Sequence, residues 1–491
     1  MALCLRSFER GQALMEKRAD LKKASISYLF GSLFNKGIAF FTVPIFTRLL
    51  STSDYGVVTT YNSWIAILAM VVGFALHTGI RIAFIDFKDG MKGFLATTTT
   101  FTLMSGGTLI IITLIASRFM LLNISVPLIV LCLCQSVSSA LIEDYSMYLM
   151  MQYRYKFRTA LMVLPNLLSV ILSVIAIKFV LTENLYLGRI IPTSFTIIFF
   201  GLMVCVLVYR KSTVLLNKSY LKYALSFSAP LIVHGIALNI LSQSDRTMIT
   251  WLADSSQTGI YSLIYNFSMI ATVITTSLEG IWIPWFYRQL QNNNQKEINI
   301  VAKDYINLMT YCLVGVIMVG PEVVKLLASS SYWDGIRVIP PVVISNFVIF
   351  AYTLYVNIEH YHRKTKAITI NTVVAAIVNI VLNYILIPKF GYVAAAYTTL
   401  ASYLVSFLLN EYRAKELEPT VYPIKFFVVP LIELGSATAL FYVFMDNMIV
   451  RWGAVFIFVI AMFAKEWKRI VVYFPRVDLR KKKRANKENG L

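Results

Sequence analysis

The chain has 491 residues, of which 58% are hydrophobic and 14% charged, with a mean hydropathy of +0.68. Soluble proteins carry roughly 25% charged residues, and a single buried core cannot absorb the apolar excess, so a solvated globular enzyme, a disordered chain and a fibrous one are all excluded. At about 20 apolar residues per crossing, the length accommodates some 12 to 16 spans, and the chain reads as an all-α polytopic membrane protein.

Residues 1–23 mix six basic with three acidic residues and lack an apolar stretch long enough for a signal peptide. They read as a cytoplasmic N-terminal segment, with Met15 as an alternative start of translation. Apolar segments then recur near 24–50, 57–80, 94–117, 124–150, 159–180 and 184–209. After a short linker (210–222) they continue near 223–245, 256–284, 304–327, 338–358, 367–388 and 391–410, and a last pair lies near 424–445 and 449–465. Fourteen helices are expected, since runs of this length are too long for barrel strands.

The net charge of +20 suits either a nucleic-acid partner or a topology signal. Its placement decides for topology. With the N-terminus inside, 35 of the 45 basic residues fall on the cytoplasmic side and nine on the outer side, and Lys36 alone lies mid-helix. Both termini are then cytoplasmic, and 468–491 forms a basic tail. Of the five cysteines, Cys132, Cys134, Cys205 and Cys312 lie in apolar runs and read as small hydrophobes, with neither disulfides nor a metal site expected.

A faint repeat divides the chain. Ser53-Asp54-Tyr55-Gly56-Val57 leads into helix 2, and Gln257-Thr258-Gly259-Ile260-Tyr261 leads into helix 8, about 203 residues later. Six helices separate the copies, so the repeats are parallel, which is a transporter architecture with a cavity between its halves. Two six-helix bundles (24–209 and 223–410) are expected, with helices 13 and 14 (411–467) outside the repeat.

No nucleotide-binding, zinc or nucleophile motif is present. Ionisable groups at membrane depth are the better guide, because each is costly there unless it meets water or a partner. Lys36 in helix 1 and His234 at the matching depth of helix 7 are the first candidates. Arg48 and the Asp245-Arg246 pair are read at the outer ends of helices 1 and 7. His77 and Arg81 share a face of helix 2. Lys36, Arg48, Arg81, His234 and Arg246 are the candidate substrate-binding residues. Asp245, Glu279, Glu143 and Glu433 are the candidates for ion coupling or gating, because a desolvated carboxylate readily takes up a proton. Glu322 and Lys325 are expected to pair on helix 9. Pro44, Pro230, Pro284 and Pro321 interrupt helices 1, 7, 8 and 9 and fit hinges.

Three stretches carry a family resemblance. Ser32-Leu33-Phe34-Asn35-Lys36-Gly37 with Pro44 through Gly56 resembles the first helix and loop of Wzx-type O-antigen and capsule repeat-unit flippases of the MATE-like (MOP) superfamily. Asp245-Arg246 with Gly259-Ile260-Tyr261-Ser262, and Phe390-Gly391-Tyr392-Val393-Ala394-Ala395-Ala396, resemble that family's seventh helix with its following loop and the start of its twelfth helix. The resemblance covers about residues 24–410. It implies translocation of undecaprenyl-diphosphate-linked oligosaccharides across the bacterial cytoplasmic membrane by two rocking bundles, coupled to an H+ or Na+ gradient and without an organic cofactor. The extra helix pair resembles the fourteen-helix branch that includes lipid II flippases. The implied partners are the lipid-linked glycan, membrane lipids, and a polysaccharide polymerase with its chain-length regulator; the implied state is monomeric. A cationic, hydrated lumen agrees with a polar diphosphate cargo, and Tyr61, Tyr265 and Tyr352 are candidates for stacking on sugars. The alternatives are a lipid II flippase, a MATE-type cation or drug antiporter, which calls for an acidic lumen, and a membrane glycan polymerase, which calls for larger outer loops.

Overall fold

The computed structural model describes residues 37–38, 41–87, 90–118, 125–212, 214–268 and 270–473. Lys36, the N-terminal segment and the tail beyond 473 lie outside the described residues. Among those described, every regular element is helical. The first helix, α1, is described over 41–49. It is followed by α2 (Thr52–Gly73), α3 (Leu76–Asp86), α4 (Met91–Arg118), α5 (Val126–Met151), α6 (Tyr155–Ile175) and α7 (Leu187–Tyr209). The second half comprises α8 (Lys218–Leu252), α9 (Ser255–Ser268), α10 (Ile270–Gln291), α11 (Gln295–Leu327), α12 (Ile339–Tyr361) and α13 (Thr365–Leu417), and α14 (Lys425–Val443) and α15 (Met448–Tyr473) close the chain.

Among the described residues the predicted segments fall on helices, but their continuity differs. Nine helices among the described residues are long and apolar enough to cross a membrane, or ten if bent α8 is one span. Some of these spans are interrupted along their length. Predicted helix 2 is split into α2 and α3 by Phe74 and Ala75, both at positive φ. Predicted helix 8 is covered by α9 and α10, on either side of residue 269, which lies outside the described residues. Predicted helices 11 and 12 are merged in α13, whose backbone breaks at Gly391 (φ 59°, ψ −147°). A Cβ at Gly391 would lie 2.0 Å from Gln257 Oε1, the atom that accepts the Tyr392 N–H at 3.0 Å. Only glycine fits both that backbone conformation and that contact.

Two apolar clusters form the interior. One joins α2 to α5, α7 and the start of α8 through residues such as Val72, Phe94, Leu141, Val204 and Ala224. The other fills the second half and takes in Phe46, Leu50, Tyr55 and Val58 from the first. The two halves share packed core near the start of α2, where Ile177 and Ile190 join the second cluster, and again where Ala224 of α8 enters the first. The outward faces are apolar: Phe195 (67% exposed), Leu202 (59%) and Ile111 (59%) lie on the surface, as a bilayer requires and water does not.

Helix α8 starts earlier and ends later than predicted. Its segments Lys218–Ser228 and Leu231–Leu252 meet at 51°, and the sequence has a proline, Pro230, in that break. The expected Glu322–Lys325 pair is also corrected. Glu322 pairs with Arg451 of α15, which is 1% exposed and also donates to the Met445 carbonyl, while the Lys325 ammonium lies 5.6 Å from the Trp333 ring centre. The sequence reading weighed only neighbours on one helix, and the buried guanidinium from the added pair offers a less solvated partner. This contact ties α15 to α11. Arg451→Ala leaves Glu322 without its cation, and such losses cost about 3–5 kcal/mol. The purified variant should melt lower and α15 should become protease-sensitive, whereas exchanging both partners for neutral residues should recover most of the loss.

Candidate functional site: a closed seam, a polar knot and a cavity

The two repeat copies meet each other. α2 and α9 cross so closely that a Cβ on Gly56 would lie 1.7 Å from the Ser255 carbonyl oxygen, and one on Gly259 would lie 2.0 Å from that of Thr52. Residues 56 and 259 are equivalent positions of the repeat, and so are Thr59 and Ser262, whose hydroxyls bond at 3.0 Å. Thr52 and Ser256 add a hydroxyl pair at 2.6 Å, and Thr60 and Thr250 another at 2.7 Å. Both helix starts are capped in the same way: Ser51 Oγ accepts the Asp54 N–H at 3.1 Å, and Asp254 Oδ1 accepts the Gln257 N–H at 2.8 Å. Small residues here let two backbones touch. The result is a pseudo-twofold seam that closes one end of the space between the halves.

Behind the seam, in the second half, lies a buried polar knot. Asp245 is fully buried. Its carboxylate accepts the Tyr261 hydroxyl (2.7 Å), the Thr399 hydroxyl (2.6 Å) and the Asn383 amide (2.7 Å). Asn379 bonds in turn to Asn383 (3.1 Å), Ser244 (3.1 Å) and Thr399 (3.4 Å), and Thr398 donates to Asn383. The knot joins α8, α9 and both arms of α13. Sequence reading found Asp245 but missed Asn379, Asn383, Thr398 and Thr399. The available signal was the pair of asparagines four apart in an apolar helix, which places both on one face.

Asp245 and Arg246 do not form the expected acid–base pair at a helix end. They lie inside α8, and consecutive residues of a helix point about 100° apart. Arg246 donates to the Ser242 carbonyl (3.0 Å) and to Gln243 Oε1 (3.0 Å), with its guanidinium 4.5 Å from the Tyr265 ring centre. Tyr265 thus serves the arginine, Tyr352 stacks on Tyr403, and Tyr61 shares its hydroxyl with Ser194.

Past α2's midpoint a cavity of about 310 Å³ lies in the first half among α2, α3 and α5, bordered by Asn239 of α8. His77, Glu143, Asp144 and Asn239 line it. His77 Nδ1 lies 3.9 Å from Glu143 Oε1, and the Glu143 side chain is 63% exposed. Asp144 is 3% exposed, and its Oδ2 has no hydrogen-bond partner. The remaining candidates are dispersed. Arg48 donates to the Leu326 carbonyl at 3.0 Å, beside the seam. Arg81 is exposed on α3, Glu279 is half-buried on α10, and Glu433 is half-buried on α14. His234, within α8, has a buried Nδ1 without a hydrogen-bond partner. The structure therefore brings together Glu143 with His77, and Asp245 with partners the sequence did not single out.

Comparison with known proteins follows the same lines. Residues 21–290 match the family described as polysaccharide biosynthesis protein. The chain is 21% identical over 430 residues to the "probable low-salt glycan biosynthesis flippase Agl15" of Haloferax volcanii, covering 80% of this chain and 83% of that protein. It is 23% identical over 376 residues to the "Lsg locus putative protein 1" of Haemophilus influenzae, covering 72% and 88%. Among solved structures, a lipid II flippase MurJ in an inward closed conformation aligns with a TM-score of 0.65 at 14% identity, covering 91% of this chain and 99% of that one. An inward-facing MATE transporter of the MOP superfamily aligns with a TM-score of 0.58 at 14% identity, covering 78% and 96%. With over half of its length matched by the family and its fold shared with MurJ and MATE proteins, the chain belongs to the polysaccharide biosynthesis protein family as a multi-pass membrane protein of MOP-superfamily fold.

Proposed function

We propose that this protein is a flippase that carries undecaprenyl-diphosphate-linked oligosaccharide units from the inner to the outer leaflet of the bacterial cytoplasmic membrane. Family and fold mark a transporter rather than an enzyme. The observation that carries the reading further is the pairing of a closed seam with an open cavity. Equivalent residues of the two repeats meet at Gly56 and Gly259, while a cavity of the first half, bordered by Asn239 of the second, lies past the midpoint of α2. With both termini inside, as the distribution of Lys and Arg requires, the seam faces outward and the cavity opens toward the cytoplasm, where lipid-linked glycans are assembled. Transport then consists of breaking the seam and closing the cavity by rocking of the halves.

The buried Asp245 knot is the proposed coupling site. A carboxylate whose described hydrogen-bond partners are neutral hydroxyl and amide groups suits one proton or one Na+, and its oxygen-rich shell fits either. A strain lacking this gene should accumulate lipid-linked repeat units on the cytoplasmic face and lose the corresponding surface glycan. Normal surface glycan with no accumulated intermediate would refute the flippase assignment. One observation favours a second reading, a cation antiporter: the described charged groups of the cavity are Glu143, Asp144 and His77, which suit a cationic cargo better than a diphosphate.

A further inference from the structure

Helix α9 belongs to the seam and to the knot at once. Toward α2 it presents Gly259, which meets the Thr52 carbonyl, and Ser262, whose hydroxyl donates to Thr59 at 3.0 Å. Tyr261 stands two residues past Gly259, about 200° around the helix axis, and so projects from the opposite face. It is fully buried, and its hydroxyl donates to Asp245 Oδ2 at 2.7 Å. The Thr399 hydroxyl shares that oxygen at 2.6 Å, and the Asn383 amide takes Oδ1 at 2.7 Å. Both of these lie on α13, so among the described donors to the carboxylate Tyr261 alone comes from α9.

The first half lacks this tie. α1 ends at residue 49 and α2 begins at Thr52, while α8 ends at Leu252 and α9 begins at Ser255, so the repeat offset of 203 holds through both helix pairs. The positions equivalent to Asp245 and Tyr261 are then Thr42 and Val58. Val58 is 5% exposed, which shows that this helix position packs with an apolar side chain and does not need a phenol to fill its space.

We propose that Tyr261 is a positioning residue that makes closure of the seam depend on the charge of Asp245. The inference deepens the coupling reading of the knot and rests on it for what changes that charge. A hydroxyl bond to a carboxylate is roughly twice as strong as one between neutral groups, and a cation reaching Oδ2 competes with both hydroxyls there. Release of Thr399 loosens contacts inside the second half. Release of Tyr261 removes the support of α9 on the side opposite α2, and with it the hold on Gly259 and Ser262. A second route to the seam runs through Thr250 of α8, which shares its hydroxyl with Thr60 of α2 at 2.7 Å and with Thr258 of α9 at 2.8 Å. The test separates the two.

The full chain, freed of its native cysteines and carrying Thr52→Cys and Ser256→Cys across the seam, is placed in lipid nanodiscs, and the initial rate of disulfide formation under mild oxidation is measured. Asp245→Asn and Tyr261→Phe, which keeps the ring, should each slow oxidation at least fivefold. The two together should be no more than twofold slower than the slower single variant, because both cut the same link. Independent structural losses multiply instead, so multiplying effects would overturn the proposal. An unchanged rate in Tyr261→Phe would overturn it too: slow oxidation in Asp245→Asn would then assign the signal to Thr250, and unchanged rates in both would show a seam that does not sense the carboxylate. The coupling reading fails separately, if Asp245→Asn keeps full gradient dependence of transport in proteoliposomes, a result that leaves the oxidation rates and the Tyr261 link as measured.

Discussion

Cysteines placed at Thr52 and Ser256, in a chain freed of its five native cysteines, should form a disulfide under mild oxidation and stop transport completely, with full recovery on reduction. The two hydroxyls lie 2.6 Å apart across the seam, one on each half, so the replacing sulfurs start within reach of a bond. Alternating access requires the two ends of the central space to open in turn. A covalent tie at the sealed end allows cargo to enter the cavity but not to leave on the other side. Binding of lipid-linked glycan should therefore survive in the oxidised protein while translocation across proteoliposomes falls to background. Undiminished translocation by the fully oxidised protein would show that the seam never opens, and rocking about it would be abandoned.

The seam also predicts the result of a simpler change. Gly56→Val or Gly259→Val puts a side chain where another backbone carbonyl already stands, within 2.0 Å, so α2 and α9 must separate. The engineered Thr52→Cys/Ser256→Cys pair should then oxidise slowly in the valine background, because its two helices no longer meet.

Much of this arrangement was legible in the sequence. Run length and charge gave the helices found among the described residues, and the Asp54-Tyr55-Gly56 and Thr258-Gly259-Ile260 signatures marked the two elements that touch across the pseudo-twofold axis. Their contact was not legible, because a repeat says that two segments are alike and not that they meet. Where helices break was also hidden. Phe74 and Ala75 adopt positive φ just past Gly73, and a lone glycine in an apolar run does not by itself mark a break. Conversely, Asp245-Arg246 looked like a terminal ion pair because hydropathy falls there. The fall comes from a polar interior, not from a helix end: α8 continues to Leu252, and the polar side chains satisfy one another away from lipid. Residues without charge, such as Asn383 and Thr399, escaped notice since a search for ionisable groups cannot see the neutral partners that make one tolerable.

Those neutral partners lead to the second large effect. Asp245→Asn should uncouple transport: in proteoliposomes, uptake driven by an imposed Na+ or pH gradient should fall at least a hundredfold, with protein abundance and binding of lipid-linked glycan preserved. The substitution keeps the shape but removes the charge, and it offers an amide to donors from Tyr261, Thr399 and Asn383 that need an acceptor. Thr399→Ala tests the same site more gently. It deletes one of three hydrogen bonds to the carboxylate, and bonds to charged groups contribute about 1.5–3 kcal/mol, roughly a ten- to hundredfold change in equilibrium. The gradient needed for half-maximal transport should shift accordingly while the maximal rate stays near wild type. Comparing the two gradients identifies the ion, since a Na+ site responds to Na+ at fixed pH and a proton site does not. Should Asp245→Asn retain full gradient dependence, the knot is only a structural clasp between α8 and α13. Coupling would then fall to a carboxylate nearer the open cavity, and Glu143, facing His77 across 3.9 Å, would be the next to change.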